Sequence, residues 1–205
     1  MPDEIQKSEM FRLFIALPVP DAIKAELEIL QRQLREQLPR DCMRWTRPEQ
    51  IHLTLKFLGD VSSDNLEDLS KVVAEACRPF GPLHLRAERI GFFPQIRFPR
   101  VVWAWVHDDQ QQLPLLQSAI NEAARRFAAE PEEKEFTGHL TLGRTRNIKS
   151  AQARLLAKIA NELANRSFGA WTAGAVEIIR SRLASFGSEY SRLASIPLTG
   201  QHSPD

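Results

Sequence analysis

The chain is short of cysteine, of net charge and of long apolar runs. Its 205 residues hold only Cys42 and Cys77. These make no CxxC pair and no zinc spacing, which leaves neither a disulfide framework nor a cysteine-built zinc site. With no secretory signal, both are expected to be free thiols in a reducing, cytoplasmic compartment. Lys plus Arg number 27 against 26 for Asp plus Glu, a net charge of +1. That balance argues against a basic sheath for long duplex DNA but leaves room for a local basic site. The first apolar run, residues 13–19, is too short for a membrane span or a signal core and is broken by Pro18. What remains is an ordinary globular composition, 43% apolar and 26% charged. A chain of this length buries roughly 70% of its unfolded surface and needs no staple to fold.

Periodicity divides the chain into alternating elements. Residues 11–17 (FRLFIAL) read as a strand stopped by Pro18 and Pro20. Ile23, Leu27, Leu30, Leu34 and Leu38 share one face of a helix over 21–37, ended by Pro39. An extended piece at 43–46 precedes a strand at 51–58, and Gly59-Asp60 reads as a turn. Ser63 or Asp64 caps a helix carrying Leu66, Leu69, Val73 and Ala76. Residues 83–90 alternate as a half-buried strand, with Ile90 out of step, and 91–99 form an aromatic, proline-rich loop. A strand at 101–106, a helix from Asp108 or Asp109 through Phe127 and an acidic loop at 130–135 follow. The remaining expectations are a strand at 138–143, a helix at 150–165 with Leu155, Ile159 and Leu163 on one face, and strands at 175–186 and 188–197.

That pass describes one unit twice: strand, helix, strand, helix, strand. His52-Leu53-Thr54-Leu55 and His139-Leu140-Thr141-Leu142 are the same tetrapeptide 87 residues apart, and residues 14–17 answer 103–106 at nearly that offset. Two copies of this length suit no solenoid; they suit a duplicated half-domain, with units at 11–92 and 100–186 and a last strand near 188–198. On a strand, His and Thr two apart share one face while the leucines enter the core. Two lobes facing each other across a pseudo-twofold axis bring both His-Thr pairs into one cleft.

Two imidazoles in one pocket suit general acid–base chemistry near neutral pH, one neutral and one protonated. Two hydroxyls beside them can donate to the non-bridging oxygens of a phosphate. Arg144, three residues after Thr141 at the end of its strand, can add paired hydrogen bonds to the same group. Arg146 shares its parity, and Lys56 shares that of His52 and Thr54. Phe57 falls on the opposite parity, with Gly59 near enough to bend the strand. Metal-free phosphodiester hydrolysis is the natural reaction class.

The paired HxTx motifs, the duplication and the length resemble the two-histidine (2H) phosphoesterase superfamily. RLFIAL at 12–17, IHLTLKFLGDV at 51–61, PRVVW at 99–103 and HLTLGR at 139–144 are similar to the bacterial and archaeal RNA 2′,3′-cyclic phosphodiesterases, formerly called 2′–5′ RNA ligases. Many members carry Pro before the second His; Gly138 here is expected to loosen the strand entry. The resemblance implies a bilobal α+β fold, two antiparallel sheets lining a central cleft with helices outside. It implies hydrolysis of a terminal 2′,3′-cyclic phosphate to a 2′-phosphomonoester, with His52 as proton donor to the 3′ oxygen and His139 as acceptor from water. Thr54, Thr141 and Arg144 would hold the phosphate, with no cofactor and no metal. Nothing in the sequence itself distinguishes the two histidines. Phe57 is expected to stack on a base, with Trp45, Phe92, Phe93 and Phe98 as further aromatics and Arg44, Arg47, Arg97 and Arg100 as flanking cations.

The expected partners are RNA ends or small cyclic nucleotides; no membrane or obligate protein partner is implied, and a monomer is expected. His84, His107 and His202 are read as structural or solvated. Other readings stay open. A metal site would need further ligands, yet no Asp or Glu recurs beside the histidines. An RNA-binding module without turnover would not need both motifs. Ligation through a 5′-hydroxyl uses the same ring-opening chemistry, although no KxDG lysine or glycine-rich phosphate loop is present for an ATP-driven route. A cyclic phosphate on ADP-ribose or another small nucleotide is a further substrate.

Overall fold

The computed structural model describes residues 8–129, 135–185 and 187–200. Its elements in order are β1 (Met10–Leu17), α1 (Asp21–Gln37), β2 (Met43–Trp45), β3 (Leu53–Ser62), α2 (Leu66–Cys77), β4 (Leu83–Phe93), β5 (Val101–His107), α3 (Gln112–Ala123), β6 (His139–Thr145), α4 (Ser150–Glu162), β7 (Ser167–Ala173), β8 (Ala175–Ala184) and β9 (Gly187–Pro197). They form an α+β fold of two sheets, ordered β3-β1-β8-β9 and β2-β6-β5-β4-β7, in which every pairing is antiparallel.

The duplication is built with an exchange. β1, already paired with β3, pairs on its other side with β8 from the second half, while β5 pairs with β4 and β6 with β2, both from the first. The first helix of each half also crosses over: α1 packs against β7 and α3 against β3. Two buried glutamines record this. Gln31 on α1 donates to the Leu142 carbonyl at 2.8 Å, and Gln117 on α3 donates to the Leu55 carbonyl at 3.2 Å. Leu55 and Leu142 are equivalent positions of the two HLTL copies, so each half holds the other half's motif strand. Ala16 faces Thr54 and Trp103 faces Thr141, which keeps the 87-residue offset; this aligns Ala16 with Trp103, two residues from the alignment of Phe14 with Trp103 read in the sequence. One apolar cluster runs from Leu13 and Leu27 to Leu142 and Phe168 through both sheets.

Several elements differ from expectation. Gly59-Asp60 is no turn: β3 runs on to Ser62, and Leu58 is left unpaired between Gly59↔Leu13 and Phe57↔Phe14. Gly59, at φ +74, absorbs that bulge. β4 runs past Ile90 to Phe93, with a register irregularity between Glu88 and Ile90 that accounts for Ile90 being out of step. β7 is an element the periodicity did not predict. α3 starts at Gln112, and the buried Asp108 carboxylate accepts from the Leu113 N–H at 2.6 Å and from the Gln110 N–H at 3.0 Å. α4 buries Ala153, Leu156 and Ile159, with Leu155 and Leu163 only half-buried. Of the acidic loop, 130–134 lies outside the described residues, as does His202. Cys42 and Cys77 are free and buried, and burial pushes the Cys77 thiol up to about 12. Among the described residues no helix is long and apolar enough to cross a membrane.

Candidate active site

The two sheets meet along a groove, and the HLTL copies lie in it. Leu53, Leu55, Leu140 and Leu142 are buried in the core. His52, Thr54, His139 and Thr141 face the other way and line one cavity of about 280 Å³, with Arg144 at its wall. A second cavity of about 660 Å³ adjoins it, sharing Thr54, Phe57, His139, Thr141 and Arg144. Its other walls include Phe93, Phe136 and Arg100.

His52 sits immediately before β3. Its ring stacks on Phe14 at 4.6 Å between centroids and meets Tyr190 edge-on at 5.3 Å. Its Nδ1 is shielded from solvent, and the Gln50 backbone favours its protonation without completing a bond of full geometry. Burial dominates and holds the ring down to about 4, with the His139 and Lys24 charges pushing the same way. His139 opens β6, with Phe93 edge-on at 5.0 Å and Trp103 at 5.7 Å. Burial lowers its pKa first, the Thr137 carbonyl opposes, and Arg144 adds to the lowering. Its Nδ1 lies 2.7 Å from that carbonyl, which can only accept, so Nδ1 carries the hydrogen and Nε2 keeps its lone pair.

The bulge geometry settles the two uncertain neighbours of the first motif. Ile15 faces Lys56 and Ala16 faces Thr54, leaving Leu55 unpaired. The alternation flips there. Lys56 is turned away from the groove and buried, its Nζ donating to the Asn121 side chain, which corrects its placement on the face of His52 and Thr54. Phe57 emerges into the groove, 62% exposed, and borders both cavities.

Of the flanking residues, Arg44, Trp45, Arg100 and Phe93 border the cavities. Arg47 instead pairs with Glu49 and donates to the Ser188 carbonyl. Phe92 packs against the core, Arg97 and Phe98 line a separate hollow beside α4, and Arg146 borders neither cavity. His84 bonds the Thr172 hydroxyl and His107 pairs with Asp109, both outside the groove. Gly138 does not loosen the entry to β6. Its carbonyl accepts from the Val106 N–H at 2.9 Å, and a Cβ there would lie 2.9 Å from the Val106 oxygen. Sequence reasoning missed Tyr190 and Gln50, which line the cavity near His52. Among the described residues no three His, Cys, Asp or Glu side chains gather into a group able to hold a metal ion.

The profile of a family described as LigT like Phosphoesterase matches residues 17–103 and 106–190. The chain is similar to a protein of Methanothermobacter thermautotrophicus named RNA 2′,3′-cyclic phosphodiesterase, 28% identical over 88% of this chain and 95% of the relative. A protein of the same name from Archaeoglobus fulgidus is 29% identical over 89% of this chain and 97% of the relative. Among solved structures, TT0787 of Thermus thermophilus superposes with a TM-score of 0.75 at 26% identity, covering 93% of this chain and 100% of the other.

Proposed function

Since the chain belongs to the LigT-like phosphoesterase family, we propose that it is an RNA 2′,3′-cyclic phosphodiesterase that opens a terminal cyclic phosphate to a 2′-phosphomonoester by metal-independent acid–base chemistry. The observation that carries this is the convergence of both His-Thr pairs on one cavity walled by Arg144. The names of the archaeal relatives support it.

His139 is the acceptor. Its Nδ1–H is engaged by Thr137, so the free Nε2 takes a proton from water as that water attacks phosphorus. His52 is the donor. Its buried ring binds a proton weakly on its own, and the anionic cyclic phosphate favours the charged form when bound. The P–O3′ bond breaks opposite the attacking water, and O3′ takes the proton from His52. His139 leaves the step protonated, and exchange with solvent restores both rings. The hydroxyls of Thr54 and Thr141 donate to the non-bridging oxygens, and Arg144 offers a bidentate pair. The base of the terminal nucleotide stacks on Phe57.

The test is turnover of a short RNA ending in 2′,3′-cyclic phosphate, in EDTA and without ATP, with the product identified by mass and 2′/3′ mapping. A 2′-phosphomonoester is expected at an undiminished rate. A 3′-phosphate product, or loss of activity in EDTA, contradicts the mechanism.

A further inference from the structure

Arg44 has a place in the groove that hydrolysis of a cyclic phosphate alone does not explain. It stands on β2 directly opposite Arg144 on β6. Directly opposed residues on neighbouring strands project to the same face, with Cβ atoms about 4.5–5.5 Å apart, and like charges there repel. Both side chains border the same cavity. Neither guanidinium is in an ion pair among the described residues. Arg12 and Arg47 add to the positive field, since both act with Arg144 on the Tyr190 hydroxyl at this wall. In a chain of net charge +1 this is a local concentration of cations that favours a bound anion.

The Arg44 head group also has a defined position. It lies against Gly187 at the start of β9, where an added Cβ would approach its Nη2 to 3.1 Å. Gly187 is at φ +122, so no side chain suits that position. The same turn is strapped down by Arg47 and Gln50, which donate to the Ser188 carbonyl at 3.0 and 2.6 Å. Arg44 therefore bridges from the edge of one sheet to the hairpin of the other.

The reactive phosphate does not need this residue. Its two non-bridging oxygens are already met by two threonine hydroxyls and one bidentate guanidinium. We propose that Arg44 forms a second anion subsite for the phosphate on the 5′ carbon of the terminal nucleotide, so that the enzyme selects ends carrying a second phosphate over bare nucleoside cyclic phosphates. This rests on the phosphodiesterase reading for its place in catalysis. The anion is either a 5′-monoester or the phosphodiester of a longer RNA, which share the same charged oxygens.

The test has a binding arm that does not depend on turnover. Calorimetry compares adenosine 2′-monophosphate with adenosine 2′,5′-bisphosphate. The bisphosphate is expected to bind roughly tenfold or more tightly. Arg44→Gln should remove that ratio, while Arg154→Gln, the same charge change on α4 and away from the groove, should keep it. The kinetic arm compares kcat/KM for adenosine 2′,3′-cyclic phosphate, its 5′-phosphorylated form and the dinucleotide ApA ending in cyclic phosphate. A gain for the 5′-phosphorylated form assigns the subsite to either source; a gain confined to the dinucleotide assigns it to the diester. Equal affinities in the wild type with no kinetic gain for the dinucleotide, or an unchanged ratio or gain in Arg44→Gln, overturns the proposal. So does an equal loss for both ligands, which would place Arg44 on the reactive phosphate. If none of the three substrates turns over, the phosphodiesterase reading fails, and the binding ratio still decides the subsite.

Discussion

At the scale of single residues, the two histidines are alike in sequence and unlike in surroundings. His52 lies between Phe14 and Tyr190 with its Nδ1 shielded, whereas His139 hands its Nδ1–H to the Thr137 carbonyl. Both are held below the ordinary imidazole value of 6.5, His52 to about 4. The sign of the pH dependence follows. In the proposed mechanism the productive free protein carries one charged and one neutral ring. Above a ring's pKa its charged fraction falls tenfold per pH unit, so the productive form is most populated between the two lowered values. The profile of kcat/KM is therefore expected to peak below pH 6.5 and to fall through neutrality. The dependence of kcat is displaced less, because bound anion favours the charged ring. A kcat/KM that is flat or rising from pH 6 to 8 would show that these environments do not set the chemistry. His52, Thr54, His139 and Thr141 were legible because duplication repeats them in identical tetrapeptides. Tyr190 was not, since it comes from the final strand and carries no repeat.

At the scale of elements, the crossed glutamines position the motif strands. Each stands four residues beyond an apolar anchor of its helix stripe, Gln31 after Leu27 and Gln117 after Leu113, and is buried. A polar residue on such a stripe was the available signal. Gln31 bonds two carbonyls, of Thr46 and Leu142, and Gln117 bonds one, of Leu55. Gln117→Leu strands the buried Leu55 carbonyl, at roughly 1–3 kcal/mol, whereas after Gln31→Leu the Leu142 carbonyl keeps the Thr46 N–H and the half-buried Thr46 carbonyl loses its glutamine donor. Gln117→Leu is expected to lower the urea midpoint; an unchanged midpoint contradicts the clamp. Most helices and strands were legible from period 3.6 and period 2. Those lost were elements whose register slips. β7 skips a residue between its pairings Ala87↔Gly169 and Glu88↔Ser167, so buried Phe168, Trp171 and Ala173 do not alternate. β3 slips twice, which disguised its length and the sides taken by Lys56 and Phe57.

At the scale of the whole molecule, duplication was readable but exchange was not, because strand pairing between halves leaves no trace in local periodicity. The exchange joins the groove. Each sheet brings one His-Thr pair, and each is completed by strands from the other half. If the two rings act on one phosphate in one concerted step, neither retains value without the other. The direct measurement is single-turnover hydrolysis of an RNA cyclic phosphate by His52→Ala, His139→Ala and the double variant, each verified as folded. Each single change is expected to slow the step by about 10²–10⁴-fold, and the double variant to be hardly slower than the worse single. Either single variant retaining a rate within tenfold of wild type, or losses that multiply in the double variant, would contradict the account of one acid–base pair.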